Sequence, residues 1–256
     1  MEDKSIEQKR YNKFSTSFLN NIEKEKDLLL ELGTDNSPMY LQAPYLYYHK
    51  LIDKNTSQSK TQLDLCCGNG VHSFTGAKNG AKVIAIDYAE QSIIICKKRA
   101  EILKLNVDFK VGDVQNLKDY KSEAFDIVTC AGSLSYLDNP LFFNEVYRVL
   151  KRGGTFICVD SFNHNPIYRF NRFVHYLRGN RTYMTLKRMP NKNTIKLLKH
   201  IFLNVEVKYF GVFSFIAPLL VLFISSNRTA KIIKNLDLFF PFLKNYSFKI
   251  VFCASK

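Results

Sequence analysis

The chain has 256 residues, of which 46% are hydrophobic and 23% are charged. This balance excludes an intrinsically disordered protein and fits one sizeable α/β domain with its own core. Lysine and arginine outnumber aspartate and glutamate by 37 to 23, giving a net charge of +14, so an anionic partner or surface is expected.

Residues 1–59 are predicted to form a helical cap. Tyr11, Phe14, Phe18 and Ile22 recur at helical spacing among charged residues. The N-terminal stretch has no apolar run of the kind found in secretory signals, so we expect a cytoplasmic protein. The six cysteines form no CxxC pair, which favours reduced, buried side chains over a disulfide framework or a metal site.

Residues 60–162 alternate between strand and helix patterns. The strand-like runs lie at 62–66, 82–87, 107–111, 125–130 and 155–160. Such alternation predicts a Rossmann-like, doubly wound parallel sheet with helices on both faces. Two later runs, 205–210 and 246–255, read as further strands.

Residues 163–202 are predicted to be a basic substrate insert with a helix. No acid occurs between Asp160 and Glu206, and the interval contains nine lysines and arginines. A solvated basic face remains the alternative to anion binding.

Residues 203–256 combine the last strands with an apolar lid insertion. The stretch 210–224 has no charge, but it is shorter than the roughly 20 apolar residues of a membrane span. Lysines at 231, 234 and 244 follow it. Two interpretations stay open: a lid packed on the sheet or on a second subunit of a homodimer, or peripheral membrane contact through 210–243.

A glycine-rich turn, "LDLCCGNG" at 63–70, follows the first predicted strand. Asp64, Asp87 and Asp113 lie at three successive strand ends, where open parallel sheets bind ligands. Three carboxylates there suit a ligand with an amino group, a ribose and an adenine. The third glycine of a dinucleotide motif is absent at Ser73, and the Asp64 carboxylate would repel the pyrophosphate of NAD.

Five segments in order, "LDLCCGNG", "AIDYAEQSI", "VGDVQNL", "FDIVTCAGSLSYL" and "LKRGGTFICVD", resemble the motifs of class I S-adenosylmethionine-dependent methyltransferases of the small-molecule type (UbiE/UbiG-like set). The resemblance covers about residues 60–160. It implies a seven-stranded Rossmann-like sheet with an antiparallel last strand, N-terminal helices and an inserted helical lid. It also implies S-adenosylmethionine (SAM) as cofactor and S-adenosylhomocysteine as product.

The same resemblance implies the cofactor-binding residues. Asp64 would lie near the methionine amino group, Asp87 would hold the ribose, and Asp113 with Val114 would meet the adenine. Cys66 stands where the family usually has its first glycine, so Cys66 and Cys67 read as small strand-end residues. The full set is Tyr11, Asp64, Cys66, Gly68, Gly70, Asp87, Tyr88, Asp113, Val114, Ala131 and Ser133.

Candidates for the acceptor side come from the basic insert. His164, four residues after the strand end at Asp160, is the first candidate general base, and His175 is the second. A hydrogen-bonded surface or core histidine is the alternative for each, and His72 is interpreted as structural. Substrate-binding candidates, whose arginines would clamp a phosphate or carboxylate, are Tyr168, Arg169, Arg172 and Arg178.

The predicted function is SAM-dependent methyl transfer to an oxygen or nitrogen, or alternatively a carbon, of a small anionic or amphiphilic molecule. A sugar, a lipid-linked intermediate or a quinone precursor would fit. An RNA-modifying methyltransferase is disfavoured because "CAGSL" lacks the Asn/Asp-Pro-Pro-aromatic pattern of nucleic-acid amino methylation. A non-catalytic SAM-binding protein at the inner membrane face is the remaining alternative.

Overall fold

The computed structural model describes residues 2–22, 25–29, 38–179 and 181–256. Within these residues seven strands form one sheet in the order β3-β2-β1-β4-β5-β7-β6. Only β7 runs antiparallel to its neighbours, which confirms the predicted topology. The strands are β1 (Thr61–Leu65), β2 (Lys82–Asp87), β3 (Val107–Val111), β4 (Phe125–Ala131), β5 (Leu150–Ser161), β6 (Asn204–Phe210) and β7 (Lys249–Ser255).

The central strands are apolar on both faces because helices cover both sides of the sheet. Leu63 and Leu65 of β1, Val128 of β4 and Phe156 of β5 are completely buried. From β1 the sheet grows through β2 and β3 in one direction, and from β4 in the other. A doubly wound sheet opens a crevice at this reversal, beyond the carboxyl ends of its strands.

Ten α-helices lie in the described residues: α1 (Glu2–Asn20), α2 (Met39–Asn55), α3 (Ser73–Lys78), α4 (Glu90–Leu103), α5 (Asn139–Val149), α6 (Pro166–Leu177), α7 (Tyr183–Lys187), α8 (Lys192–Ile201), α9 (Ala217–Leu220) and α10 (Ser226–Phe239). Side-chain caps fix several starts. Asp138 accepts from Leu141 N–H at α5, and Asn165 accepts from Ile167 N–H at α6. Short 3₁₀ turns occupy Glu25–Leu29, Leu134–Tyr136, Ser214–Ile216 and Pro241–Tyr246.

The two insertions fold as separate groups of helices. The basic insert forms α6, α7 and α8, whereas the charge-free stretch 210–224 is divided between the end of β6, a 3₁₀ turn and α9. The following helix, α10, packs against α2. Among the described helices, none combines the length and apolar character needed to cross a bilayer.

Candidate active site

The carboxyl ends of β1, β2 and β4 open into a cavity of about 290 Å³. Its floor is the turn after β1, and its walls come from the ends of β2 and β4. Residues of α1 and α7 form the roof. The cavity therefore lies at the reversal of strand order, where the sheet topology places a ligand site.

The turn after β1 brings backbone close to the cavity. Cys66 and Gly68 both have left-handed backbone angles, φ 58° and 52°. A Cβ on Gly68 would meet no atom within 4 Å, so this glycine borders open space. A Cβ on Gly70 would lie 2.9 Å from Cys96 Sγ of α4. Gly68 thus gives a ligand room, whereas Gly70 lets the turn pack against α4.

Asp87 holds the turn and faces the cavity. One carboxylate oxygen accepts from Gly68 N–H at 2.8 Å, and the other accepts from Ala89 N–H at 2.8 Å. Burial raises the pKa of this carboxyl, and hydrogen bonds from the backbone N–H groups of Ala89, Gly68 and Tyr88 oppose the increase. Each oxygen keeps acceptor capacity beyond its backbone bond, and Asp87 lines the cavity.

Asp64 lies behind the cavity wall, not on it. Its side chain is 2% exposed and accepts from Ser73 Oγ at 2.6 Å and Thr129 Oγ1 at 2.8 Å. Burial raises its pKa to about 6 despite these donors. The carboxylate ties the start of α3 to β4. The place of Asp64 near a methionine amino group stays a prediction.

The remaining predicted cofactor residues converge on the cavity. Asp113 and Val114 follow β3, Ala131 ends β4, Ser133 follows it, and Tyr88 follows Asp87; all five line the cavity. Asp113 Oδ1 also accepts from Gln115 N–H at 3.0 Å. Of the eleven predicted residues, the structure brings together nine and leaves Asp64 and Gly70 outside the lining.

The roof of the cavity joins distant parts of the chain. On α1, Tyr11 donates its hydroxyl to Tyr136 at 3.2 Å, with the two rings perpendicular. Gln8 donates to the backbone oxygen of Tyr88 at 2.8 Å. Tyr11 was predicted from the sequence, whereas Gln8 and Tyr136 were not. Tyr136 lies within the segment "FDIVTCAGSLSYL", and Gln8 belongs to no motif.

The basic insert reaches the cavity through α7. Thr182, Met184, Thr185 and Arg188 line it, and Thr185 donates to Glu7 Oε1 of α1 at 3.3 Å. No residue of α6 lines the cavity. The sequence predicted an insert near the site, but not which of its helices would fold over the cavity.

A pair of histidines borders the cavity beside the turn. His72 lines it, and His72 Nδ1 lies 2.8 Å from His49 Nε2 on α2. The His72 ring stacks on Tyr45 at a centroid distance of 5.5 Å. Burial first, then His49 and Lys249, lower the pKa of His72 to about 3, so the ring is neutral at neutral pH.

The structure does not bring the predicted general bases to the cavity. His164 Nε2 accepts from Lys192 N–H at 2.9 Å, at the start of α8, and lines a separate basic depression with Arg169. His175 lies on α6 outside the cavity. The histidine nearest the cofactor turn is His72.

The predicted substrate contacts also lie outside this cavity. Tyr168 donates to the backbone oxygen of Gly211 at 3.2 Å, and Arg172 donates to Asn163 Oδ1 at 3.0 Å. Arg169 and Arg178 are exposed on α6 and at its end. Tyr168 and Arg172 therefore fasten α6 to the protein.

The paired cysteines form part of the cavity wall. Cys66 is half-buried and Cys67 is buried. A hydrogen bond to Cys130 and burial raise the pKa of Cys66 well above the ordinary thiol value. Among the described residues no group of histidines, cysteines and acids is arranged to hold a metal ion.

Two features of the cavity fit SAM: open space beside the backbone and carboxylates at the strand ends. Gly68 and Gly132 both border open space, so the backbone admits a ligand at the ends of β1 and β4. Asp87 offers acceptors for a ribose, and Asp113 lies at the next strand end.

Comparisons with known proteins agree with this geometry. A family model described as "Methyltransferase domain" matches residues 56–202, more than half of the chain. The demethylmenaquinone methyltransferase of Lactococcus lactis is 34% identical over 113 residues, 42% of this chain and 44% of that protein. The ubiquinone biosynthesis O-methyltransferase of Coxiella burnetii is 32% identical over 125 residues, 48% of this chain and 51% of that protein.

The chain spans about half the length of these curated relatives. Solved structures extend the likeness in fold. The geranyl diphosphate C-methyltransferase of Streptomyces coelicolor, bound to S-adenosylhomocysteine, has a TM-score of 0.61 at 13% identity and covers 93% of this chain and 87% of that one. A Haemonchus contortus phosphoethanolamine N-methyltransferase, bound to SAM, has a TM-score of 0.58 at 16% identity and covers 92% and 60%. The chain therefore belongs to the methyltransferase domain family, among the class I SAM-dependent methyltransferases.

Proposed function

We propose that this protein transfers the methyl group of SAM to an oxygen or carbon atom of a small molecule. The observation that carries the proposal is the Asp87 carboxylate, held by Gly68 N–H and Ala89 N–H at the edge of a roofed cavity. SAM supplies an activated methyl group on a sulfonium. The protein has to bind the cofactor, position the acceptor and exclude water.

The residues divide these tasks by position. Asp87 accepts from the ribose hydroxyls, while Asp113 and Val114 face the adenine at the next strand end. Tyr11 and Tyr136 close the roof from α1 and from the turn after β4. A roof of this kind keeps bulk water from the sulfonium and holds the acceptor at attack distance.

We propose further that the acceptor is anionic or amphiphilic. Arg188 lines the cavity and offers a guanidinium there, and the His72 ring that lines the same cavity is neutral. Guanidinium groups recognise carboxylates and phosphates in a bidentate manner. By their names, the curated relatives act on demethylmenaquinone and in ubiquinone biosynthesis, which favours a quinone precursor over a lipid-linked sugar.

A peripheral membrane contact through 210–243 belongs to the same proposal. Leu222, Phe223, Phe239 and Phe242 are exposed in and around α9 and α10. Lys231 and Lys234 are exposed on α10 as well. Exposed apolar anchors beside lysines are typical of elements that lie at a membrane surface.

Isothermal titration of the full chain with SAM, S-adenosylhomocysteine and NAD tests the cofactor assignment. We expect micromolar binding of the first two and no binding of NAD. Transfer of radiolabelled methyl from SAM to quinone precursors then tests the activity. Binding of NAD in place of SAM would overturn the proposal, and binding of SAM without transfer to any acceptor class would leave a non-catalytic SAM-binding protein.

A further inference from the structure

The amphipathic helix α6 is packed with its polar side inward. Its apolar residues recur at three- or four-residue spacing and so share one face. That face is open: Ile167 is 47% exposed, Phe170 69%, Phe173 49% and Leu177 66%. Among the residues of α6, all of which the structure describes, only Arg172 is buried.

Polar contacts hold this orientation. Arg172 Nη1 donates to the backbone oxygen of Phe162 at 3.2 Å and to Asn163 Oδ1 at 3.0 Å. Asn165, which caps α6, donates to the backbone oxygens of Val212 and Tyr246. Tyr168 donates to the backbone oxygen of Gly211. The face opposite the apolar stripe is therefore fixed to the protein, and the stripe is left outward.

An outward-facing apolar stripe of this size is expected to be covered by a binding partner. Single exposed apolar residues are ordinary, but a contiguous patch on a helix marks an interaction surface. Water contact of two phenylalanines, an isoleucine and a leucine is unfavourable by about 25 cal/mol per Å² of apolar area. The polar contacts fix the orientation, and an apolar partner that covers the stripe would remove this unfavourable exposure.

The charges around α6 indicate which kind of partner covers the apolar stripe. Arg169 is exposed within α6, and Arg178 is exposed directly after it. The whole interval between Asp160 and Glu206 contains nine lysines and arginines and no acid. Two copies of the chain meeting through α6 would bring two such intervals together, and like charges would oppose the contact. An anionic surface meets no such opposition.

We infer that α6 lies in the interfacial plane of an anionic membrane, with Ile167, Phe170, Phe173 and Leu177 inserted among the acyl chains. Arg169 and Arg178 then contact lipid headgroups. Phenylalanine and leucine on one face and arginine at its borders are the features of helices that bind in this way. The inference adds a second element to the membrane contact proposed for 210–243 and rests on that part of the proposed function; it is independent of methyl transfer.

The two membrane elements adjoin in the fold. Gly211, which accepts from Tyr168 of α6, begins the segment that leads to Phe213. The ring of Phe213 lies 5.6 Å from that of Phe240, which in turn lies 5.8 Å from the exposed ring of Phe242. The start of α6 is thus bonded to the segment that leads to the aromatic cluster near the end of α10.

Co-sedimentation of the full chain with lipid vesicles tests the inference. One set of vesicles contains phosphatidylglycerol in phosphatidylcholine, and the other contains phosphatidylcholine alone. We expect binding to the anionic vesicles that weakens with added salt. The double variant F170S/L177S should bind them at least about tenfold more weakly, since each exchange removes a large apolar anchor.

Matched variants separate the possible outcomes. L141S/L203S makes the same kind of change at exposed residues outside α6 and should bind like the wild type. F239S/F242S reports the contribution of 210–243 alone. Equal vesicle binding by F170S/L177S and the wild type would overturn the inference, as would conversion of a dimer to a monomer by F170S/L177S in gel filtration. SAM titration of the same samples tests the cofactor site, so a failure there is distinguishable from a failure of α6.

Discussion

Thr185 of α7 donates its hydroxyl to the Glu7 carboxylate of α1 at 3.3 Å, joining residues 178 positions apart across the mouth of the cavity. Both side chains are buried. The contact links the N-terminal helix to the basic insert, and both form the roof. It explains how residues outside the strand ends come to enclose the cofactor cavity.

We expect Thr185→Val to weaken SAM binding about tenfold. Valine keeps the shape of threonine but removes the hydroxyl, and a hydrogen bond to a charged group contributes roughly 1.5–3 kcal/mol. The roof should then open more often, so SAM should dissociate faster in stopped-flow measurements. Thr155→Val on β5, outside the cavity, is the matched control. An unchanged dissociation rate would mean that the roof does not depend on this contact.

Asp87 and Asp64 are expected to respond differently to the same exchange. Asp87→Asn should raise the dissociation constant for SAM about tenfold or more, because a charged acceptor for the ribose is lost. Asp64→Asn should change that constant by less than about twofold, since Asp64 bonds only hydroxyls behind the wall. Titration calorimetry measures both, with exposed Asp119→Asn as control. Loss of SAM binding in Asp64→Asn would instead support the prediction that Asp64 lies near the methionine amino group.

The sheet could be predicted from the sequence because its strands are short apolar runs between helical patterns. The predicted start of β5 at residue 155 was wrong, since the strand begins at Leu150. Gly153 and Gly154 lie within an irregular pairing with β4, where the register shifts between Phe125 and Ile127. Gly153 has a φ of 72°, so the backbone bends between Leu150 and Thr155 although both residues pair with β4.

The roof and the orientation of the insert could not be predicted. Strand-end residues such as Asp87 are positioned by the sheet itself, so their spacing carries information. Thr185 and Arg188 reach the cavity because α7 packs against the Leu134–Tyr136 turn and bonds Glu7 of α1, which are contacts between distant segments. The aromatic and basic residues of α6 suggested substrate binding, yet the helix turns them away from the cavity. No local pattern distinguishes these two arrangements.

Cys66 has a left-handed backbone angle. The stability of variants at this position should therefore depend on how well each side chain tolerates that angle. Its φ of 58° is readily adopted by glycine and strongly disfavoured by β-branched residues. We expect Cys66→Gly to change the free energy of unfolding by less than about 1 kcal/mol, because the relief of strain offsets the lost contacts. Cys66→Val should cost at least about 2 kcal/mol. Cys253→Val on β7 is the control, since branched side chains suit strands. If chemical denaturation shows that Cys66→Val is more stable than Cys66→Gly, the left-handed backbone angle at position 66 is contradicted.

His72 should make the folded protein sensitive to acid. Burial lowers its pKa in the fold to about 3, while His49, Tyr45 and Lys249 surround the ring and supply no negative charge. Between this value and the ordinary histidine pKa of about 6.5, the unfolded chain binds a proton that the folded chain does not. Stability is therefore fully present above about pH 7 and decreases as the pH falls.

From pH 7 to pH 5 the loss attributable to His72 is expected to be about 2 kcal/mol. His72→Gln cannot take up this proton, so its free energy of unfolding should fall less over the same range by about that amount. Urea denaturation at both pH values measures the difference, and His200→Gln on the exposed side of α8 is the matched control. If wild type and His72→Gln lose equal stability, His72 is solvated in the fold and is not a neutral part of the cavity lining.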